Sequence, residues 1–139
     1  KQLMDFKSGE RKNAVMSGMV AALSPEDMRN LGSYFGGQKP KPRAARDVEL
    51  VKSGQAIYRG GVTAKGVPAC AGCHLANGAG IPSQYPRLAG QHADYTLAQL
   101  QAFRLGARAN DPSKMMRAIA SRMGEPEMRA GAEYITGLR

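Results

Sequence analysis

Apolar residues recur at helical spacing in several stretches of the chain, and no stretch shows the strict alternation of a half-buried strand pair. The pattern predicts helices over 47–58, 93–105, 112–123 and 128–138, and a further helix whose cap is Ser24. Between the first two of these, residues 61–91 are rich in Gly and Pro and show no sustained period. The chain is therefore predicted to be all-α, with long connecting loops.

The sequence repeats itself, and the offset is nearly constant. Pairs that lie 97 positions apart are Gln2 and Gln99, Leu3 and Leu100, Phe6 and Phe103, Gly9 and Gly106, Arg11 and Arg108, and Asn13 and Asn110. Pairs that lie 100 positions apart are Met16 and Met116, Met28 and Met128, Arg29 and Arg129, and Tyr34 and Tyr134. A longer loop at 111–114 accounts for the difference. Two copies of one module are indicated, and the first copy shows only its last part.

This repeat predicts the domain organisation. We expect residues 1–38 to be the C-terminal part of a first domain and residues 47–139 to be a complete second domain. Residues 39–46 contain Pro40 and Pro42, which favour extended backbone, and are interpreted as a linker.

The strongest chemical signal is the run Cys70-Ala71-Gly72-Cys73-His74, which fits the haem-attachment pattern C-x-x-C-H. Two thiols three positions apart can add to the vinyl groups on one edge of a porphyrin, and the next residue then lies under the iron. A neutral imidazole is a good ligand for that iron. A redox-active thiol pair would not need His74, and a zinc site would need further ligands at suitable spacing. Haem c, bound covalently, is therefore the predicted cofactor.

The sixth iron ligand has to come from elsewhere in the chain. Most methionines in a helical protein fill core gaps. Met116 is the first choice because it is matched in the repeat by Met16, while Met115 is a close competitor that we expect to be packing. His92 is interpreted as a polar residue at a helix start. A His–Met pair raises the reduction potential and leaves no open position for a substrate, which favours electron transfer over catalysis.

Net charge and composition restrict the kinds of partner that the protein is expected to bind. The formal charge is +9, which favours encounters with acidic partners or membrane surfaces. No nucleic-acid motif accompanies this charge, and no apolar run is long enough to span a membrane, so we expect neither a nucleic-acid partner nor a transmembrane segment.

The region from Gln55 to Leu138 resembles the second domain of the dihaem cytochrome c4 family of class I c-type cytochromes, and residues 1–38 resemble the end of that family's first domain. The segments that carry the resemblance are Tyr58-Arg59-Gly60-Gly61, Pro68-Ala69-Cys70-Ala71-Gly72-Cys73-His74, Pro86-Arg87-Leu88-Ala89-Gly90-Gln91-His92, Gln99-Leu100-Gln101-Ala102-Phe103-Arg104, and Met116 with Ala118-Ile119-Ala120.

The resemblance implies a class I cytochrome c fold and a role for individual residues. It implies thioether attachment at Cys70 and Cys73, axial ligation by His74 and Met116, and Pro86 as the hydrogen-bond acceptor for His74. Tyr95 is a further candidate for cofactor binding. The resemblance also implies that the helix near Gly54 and Tyr58 crosses the last helix near Tyr134.

The family has two C-x-x-C-H motifs, whereas this chain has one. Lys1 is not a start residue, so we expect that the upstream part of the first domain is absent from the sequence, and that the full-length protein carries a second haem whose iron Met16 would bind. A natural protein that has lost one haem half is the alternative.

The resemblance further implies that the protein is an electron carrier and not an enzyme. It implies a location in the periplasm of a Gram-negative bacterium, either free or associated with the membrane. Redox partners would be acidic or membrane-bound: a terminal oxidase, a quinol-cytochrome c reductase or a dehydrogenase. The alternative is a haem subunit of a larger enzyme such as flavocytochrome c sulfide dehydrogenase.

Overall fold

The computed structural model describes residues 1–82 and 84–139. The first part of the chain forms α1 (Gln2–Ser8), α2 (Ala14–Val20) and α3 (Pro25–Gly36). The end of α1 and the starts of α2 and α3 have local causes. Gly9 ends α1 in the left-handed conformation, the side chain of Asn13 caps α2, and Ser24 and Asp27 form a capping box at the start of α3.

The second part of the chain forms the remaining helices, which are α4 (Val48–Gly60), α5 (Ala71–His74), α6 (Ala93–Arg104), α7 (Met115–Ala120) and α8 (Glu125–Gly137). Short 3₁₀ turns cover Thr63–Lys65 and Pro112–Lys114. In the described part of the chain, the only β-structure is a pair of isolated bridges, at Val62 with Val67 and at Ile81 with Tyr85. The predicted all-α fold is confirmed.

One predicted helix differs from the structure. The pattern predicted a single helix over 112–123, but the α-helical part is confined to α7. Ser113 and Lys114 adopt left-handed φ angles of 52° and 57°, which a continuous right-handed helix does not admit. The periodicity of the apolar residues did not reveal this interruption.

Helices α4 and α8 make the most extensive contact between elements, and a glycine permits it. A Cβ added at Gly54 would overlap the carbonyl oxygen of Ala130 and lie 2.8 Å from the Cβ of Tyr134. The close crossing buries Tyr58 completely and brings its ring to 5.4 Å from that of Tyr134, measured between centroids. This crossing is the one that the resemblance implied.

The repeat is visible in the packing. One apolar cluster joins the buried residues Phe103, Ala120, Met123 and Met128, with Leu100 and Met116 among the half-buried residues against it. A second cluster joins Phe6, Val20 and Met28, with Leu3, Met16 and Leu23 against it. Every member of the second cluster is the repeat counterpart of a member of the first. Residues 1–38 therefore reproduce, in space as well as in sequence, the packing of the last part of the second copy.

The two copies meet through a polar joint that is close to symmetric. Arg11 donates to Gln2 Oε1 at 2.6 Å and to Gln99 Oε1 at 2.8 Å. Its repeat counterpart, Arg108, donates to Gln99 Oε1 at 2.9 Å and to Gln2 Oε1 at 3.4 Å. Each guanidinium also stacks on the phenylalanine of its own copy, at 4.6 Å over Phe6 and at 4.5 Å over the equivalent ring. Each copy therefore contributes a glutamine, an arginine and a phenylalanine to this joint.

The segment predicted to be a linker is held in place at its C-terminal end. The carboxylate of Glu133 on α8 accepts hydrogen bonds from the backbone amides of Arg46 and Asp47. The side chain of Asp47 in turn caps α4 by accepting from the amide of Leu50 at 3.0 Å. These contacts fix where α4 begins relative to α8.

Candidate functional site

The C-x-x-C-H motif forms a single helical turn. Cys70 lies at the N-terminus of α5, and Cys73 and His74 lie in the turn itself. The amide of His74 donates to the carbonyl of Cys70 at 2.9 Å, which closes the turn. Both thiols and the imidazole are thereby held on a segment of five residues, as the attachment chemistry requires. A Cβ at Gly72 would meet no atom within 4 Å, so the outer side of this turn is open.

His74 is buried and its ring is oriented by a backbone carbonyl. Its Nδ1 lies 2.9 Å from the carbonyl oxygen of Pro86. A carbonyl can only accept, so the ring proton resides on Nδ1 and the lone pair on Nε2. Burial lowers the pKa of His74, and the hydrogen bond to Pro86 offsets this only in part. The neutral imidazole, which is the form that binds metals, is therefore favoured.

Gly80 allows the loop that carries Pro86 to lie close to the segment that follows His74. A Cβ at Gly80 would lie 2.5 Å from the carbonyl oxygen of Tyr85 and 2.5 Å from the carbonyl carbon of Pro86. The amide of Gly80 donates to the carbonyl of His74 at 3.0 Å. Gly80 has φ +74°, a conformation that side chains disfavour. Its lack of a Cβ therefore lets the segment that follows His74 lie directly against the segment that orients it.

The chain leaves α5 through a left-handed residue. Leu75 has φ 66°, which is strained for a leucine. Its carbonyl accepts from the hydroxyl of Tyr58 at 2.8 Å and from the amide of Gly78 at 3.0 Å. Burial, followed by the nearby Cys70 and Tyr134, raises the pKa of Tyr58 to about 12, so its hydroxyl stays a donor. The sequence did not predict this contact, because it indicated a role for Tyr58 only through the resemblance and the helix crossing that the resemblance implies.

The thiol of Cys70 lies on the inner side of the turn. It packs against the apolar cluster of Tyr58, Tyr134 and Leu138. Burial raises the pKa of this thiol. Cys70 is half-buried, so its packing marks the side of the turn that faces the core.

Met116 is the second residue of α7, and it packs against the cluster that contains Phe103 and Met128. Met115 is half-buried and belongs to none of the clusters found among the described residues. Of the two methionines, Met116 is therefore the one that packs in an apolar cluster, whereas the sequence predicted that Met115 would pack. The choice of Met116 as ligand therefore stays a prediction.

The described contacts of the other predicted residues are made with elements other than α5. The hydroxyl of Tyr95 accepts from Arg11 at 2.8 Å, so this side chain belongs to the joint between the copies, and its cofactor role stays a prediction. His92 precedes α6, as expected, without a side-chain cap. Met16 packs against Phe6 in the equivalent cluster.

The donor set fits a covalently attached haem. It offers two thiols on one turn and an imidazole whose Nδ1 is engaged and whose Nε2 is left for iron. In 1–82 and 84–139, no three His, Cys, Asp or Glu side chains are close enough together to hold a bare metal ion. The zinc interpretation therefore has no ligand set there.

Comparison with known proteins agrees with this chemistry. The family model of cytochrome c matches residues 51–139. Cytochrome c4 of Azotobacter vinelandii is 46% identical, over 99% of this chain and 70% of the relative. The thiosulfate dehydrogenase electron acceptor of Stutzerimonas stutzeri is 38% identical, over 99% of this chain and 65% of the relative. The crystal structure of reduced cytochrome c4 from Pseudomonas stutzeri superposes with a TM-score of 0.95 at 40% identity, over 99% of this chain and 78% of that one.

A helical fold built around a C-x-x-C-H turn, with this family match, defines a c-type cytochrome. Within that class, the chain belongs to the cytochrome c4 family. It is an electron carrier with haem c as its cofactor, and it is not an enzyme. The predicted family, fold and cofactor are confirmed. No described helix is long and apolar enough to cross a membrane.

Proposed function

We propose that Cys70 and Cys73 hold the haem by thioether bonds, that His74 and Met116 are the axial ligands, and that the protein carries electrons between respiratory donors and a terminal oxidase or reductase in the periplasm. The observation that carries the proposal is the 2.9 Å contact between Nδ1 of His74 and the carbonyl of Pro86. Ligating histidines generally donate their second ring N–H in this way, which fixes the ring and raises its basicity.

The residues of the chain would orient the haem ligands and set the reduction potential. Bound haem supplies the one-electron iron couple. Pro86 holds the ring of His74 in place, and the burial of that ring keeps water away from it. A thioether from Met116 favours the reduced iron and raises the potential. With His74 and Met116 both bound to the iron, no position would be left for a substrate, so the group would serve to pass electrons.

The two adjacent methionines provide the test. Met116→Ala should remove the weak far-red absorption band that sulfur ligation gives to ferric haem, and it should lower the midpoint potential. Met115→Ala is the matched control and should leave both nearly unchanged. Loss of the band in the Met115 variant, with its retention in the Met116 variant, would show that the ligand has been misassigned.

We also propose that Met16 binds the iron of a second haem in the full-length protein. Every member of its cluster has a repeat counterpart in the cluster of Met116. The helix α3 supports the idea, because Tyr34 is 63% exposed whereas its counterpart Tyr134 is 8% exposed and packed against α4. The face of α3 that corresponds to the α4-covered face of α8 is thus uncovered. Iron and haem quantitation on the full-length protein tests this: two haems per polypeptide are expected, and one haem in an uncleaved protein would refute it.

The partner is proposed to be acidic. The formal charge of +9 favours fast association with a negatively charged surface, at a rate that falls as salt screens the charges. Stopped-flow reduction by a quinol-cytochrome c reductase, or oxidation by a terminal oxidase, should slow markedly between low and physiological salt. A rate independent of salt would argue against electrostatic docking.

A second candidate is an acceptor dedicated to one enzyme, of which the haem subunit of a sulfide dehydrogenase is an example. It is favoured by the 38% identity to a protein named thiosulfate dehydrogenase electron acceptor. Purification without affinity tags separates the two. A dehydrogenase that stays bound in constant ratio supports the dedicated acceptor, and a monomeric cytochrome reduced by a respiratory complex supports the diffusible carrier.

A further inference from the structure

The loop before Met116 is organised by one buried carboxylate. Asp111 accepts from Nε of Arg117 at 2.7 Å and from the backbone amide of Arg117 at 3.0 Å. Its side chain is only 3% exposed. The neighbouring Nη2 of Arg117 donates to the carbonyl of Ala109 at 3.2 Å. The guanidinium therefore ties the two ends of the segment 109–117 together across the base of the loop.

This carboxylate also replaces a missing helix cap. The residue that precedes α7 is Lys114, which is left-handed and makes no side-chain cap bond. The amide of Arg117, the third residue of the helix, would otherwise lack a partner at the helix start. Asp111 supplies that partner from outside the helix, and as a negative charge it also suits the helix N-terminus.

The first copy of the module solves the same problem differently. There, the side chain of Asn13 directly precedes α2 and accepts from the amide of Met16 itself at 3.0 Å. The second copy contains the longer loop with left-handed Ser113 and Lys114, and its cap acts on the residue after Met116. A neutral amide in one copy thus corresponds to a buried ion pair in the other.

We propose that the Asp111–Arg117 pair is a positioning device that holds the backbone of Met116 in register for iron. The proposal rests on Met116 being the sixth ligand. Methionine has three flexible side-chain torsions, so a thioether is held at a metal only when its backbone is fixed. Met116 lies between strained Lys114 and anchored Arg117, and without the anchor the first turn of α7 would be free to fray. The sulfur would then leave the iron before the domain unfolds.

The test compares two carboxylates in similar settings. Asp111→Asn removes the charge at the loop. Glu127→Gln is the matched control. Glu127 lies on α8 and accepts hydrogen bonds from the helix-start amide of Gly124 and from the ammonium group of Lys65, each at 2.6 Å. In the ferric holoprotein, the far-red sulfur-to-iron band and the far-ultraviolet circular dichroism are followed on heating. The midpoint potential is measured for each variant.

In Asp111→Asn, the band should disappear at a clearly lower temperature than helix is lost, and the potential should shift to more negative values. In Glu127→Gln, band and helix should be lost together, with an unchanged potential. Arg117→Lys, which keeps the charge but loses the two-point contact, should fall between wild type and Asp111→Asn. If band and helix are lost together in Asp111→Asn, or if Glu127→Gln separates them equally, the positioning role is refuted.

The Met116→Ala variant separates failure of this inference from failure of the ligand assignment. If Met116→Ala keeps the band, Met116 is not the ligand and both statements fall. If Met116→Ala loses the band while Asp111→Asn behaves like wild type, the ligand assignment stands and only the positioning role is overturned.

Discussion

The hydroxyl of Tyr58 donates to the carbonyl oxygen of Leu75 at 2.8 Å, one residue beyond His74. This bond connects α4, which carries no ligand, to the left-handed residue through which the chain leaves the C-x-x-C-H turn. The crossing of α4 with α8 at Gly54 therefore fixes more than the core. It also fixes the position of the turn that presents the imidazole.

Tyr58→Phe should destabilise the protein by about 0.5 to 1.5 kcal/mol, because it removes one hydrogen bond while the carbonyl of Leu75 keeps the bond from the amide of Gly78. Urea unfolding of the holoprotein measures the change. Tyr34→Phe is the control, since Tyr34 is 63% exposed and should change stability by no more than about 0.5 kcal/mol. Equal effects of the two substitutions would contradict the role given to the Tyr58 hydroxyl.

The same hydroxyl predicts an alkaline effect. The pKa of Tyr58 is raised to about 12 from an ordinary value of 10.0, with burial as the first cause. The unfolded chain therefore releases this proton before the folded chain does, so the stabilisation is fully present below pH 10 and is lost as pH rises towards 12. Stability curves measured over this range should fall more steeply for wild type than for Tyr58→Phe. Parallel curves would refute the shift.

Gly54→Ala should be strongly destabilising, by about 2 to 3 kcal/mol or more, because the added methyl would overlap the backbone of Ala130 and force α4 and α8 apart. Gly60→Ala is the control in the same helix, where a Cβ meets nothing within 4 Å and the change should be neutral or slightly stabilising. Thermal unfolding followed by circular dichroism measures both. If Gly54→Ala melts with wild type, the crossing is looser than the structure indicates.

Glu127 predicts an acid effect of opposite sign. Its hydrogen bond with Lys65, and then that with the amide of Gly124, hold its pKa below the ordinary 4.5. The stabilisation is therefore present above about pH 4.5 and is lost as pH falls through the lower folded value. Glu127→Gln should lower stability at neutral pH and lose less on acidification than wild type does. A variant with the full wild-type acid dependence would show that other carboxylates are responsible.

The sequence was sufficient for the features that depend on local pattern. The spacing of Cys70, Cys73 and His74 predicted a haem-attachment motif, and the structure places the three residues on one helical turn. The offset between Met16 and Met116 predicted a repeat, and the two methionines lie in equivalent apolar clusters. Both signals are carried by the order of residues along the chain, so no three-dimensional information was needed.

The contacts between polar side chains were harder to predict from the sequence. Asp111 and Arg117 are six residues apart and look like ordinary loop charges, because only the left-handed turn at Ser113 brings the carboxylate under the helix start. Tyr95 was assigned to the cofactor, whereas its described partner is Arg11, which lies 84 positions earlier in the chain. Hydrophobic periodicity carries no information on either contact, since both are made by polar side chains that are brought together only when the chain folds.

Thioether attachment at Cys70 and Cys73 is the central proposal for this protein. The native protein should be denatured in acidified organic solvent and the polypeptide weighed by mass spectrometry, alongside Cys70→Ala and Cys73→Ala variants. Haem is expected to stay with the wild-type polypeptide, peptide mapping should place it on the segment that contains Cys70 and Cys73, and attachment should be weakened in either variant. Haem that extracts completely from the wild-type protein, and leaves a polypeptide of unmodified mass, would contradict this proposal.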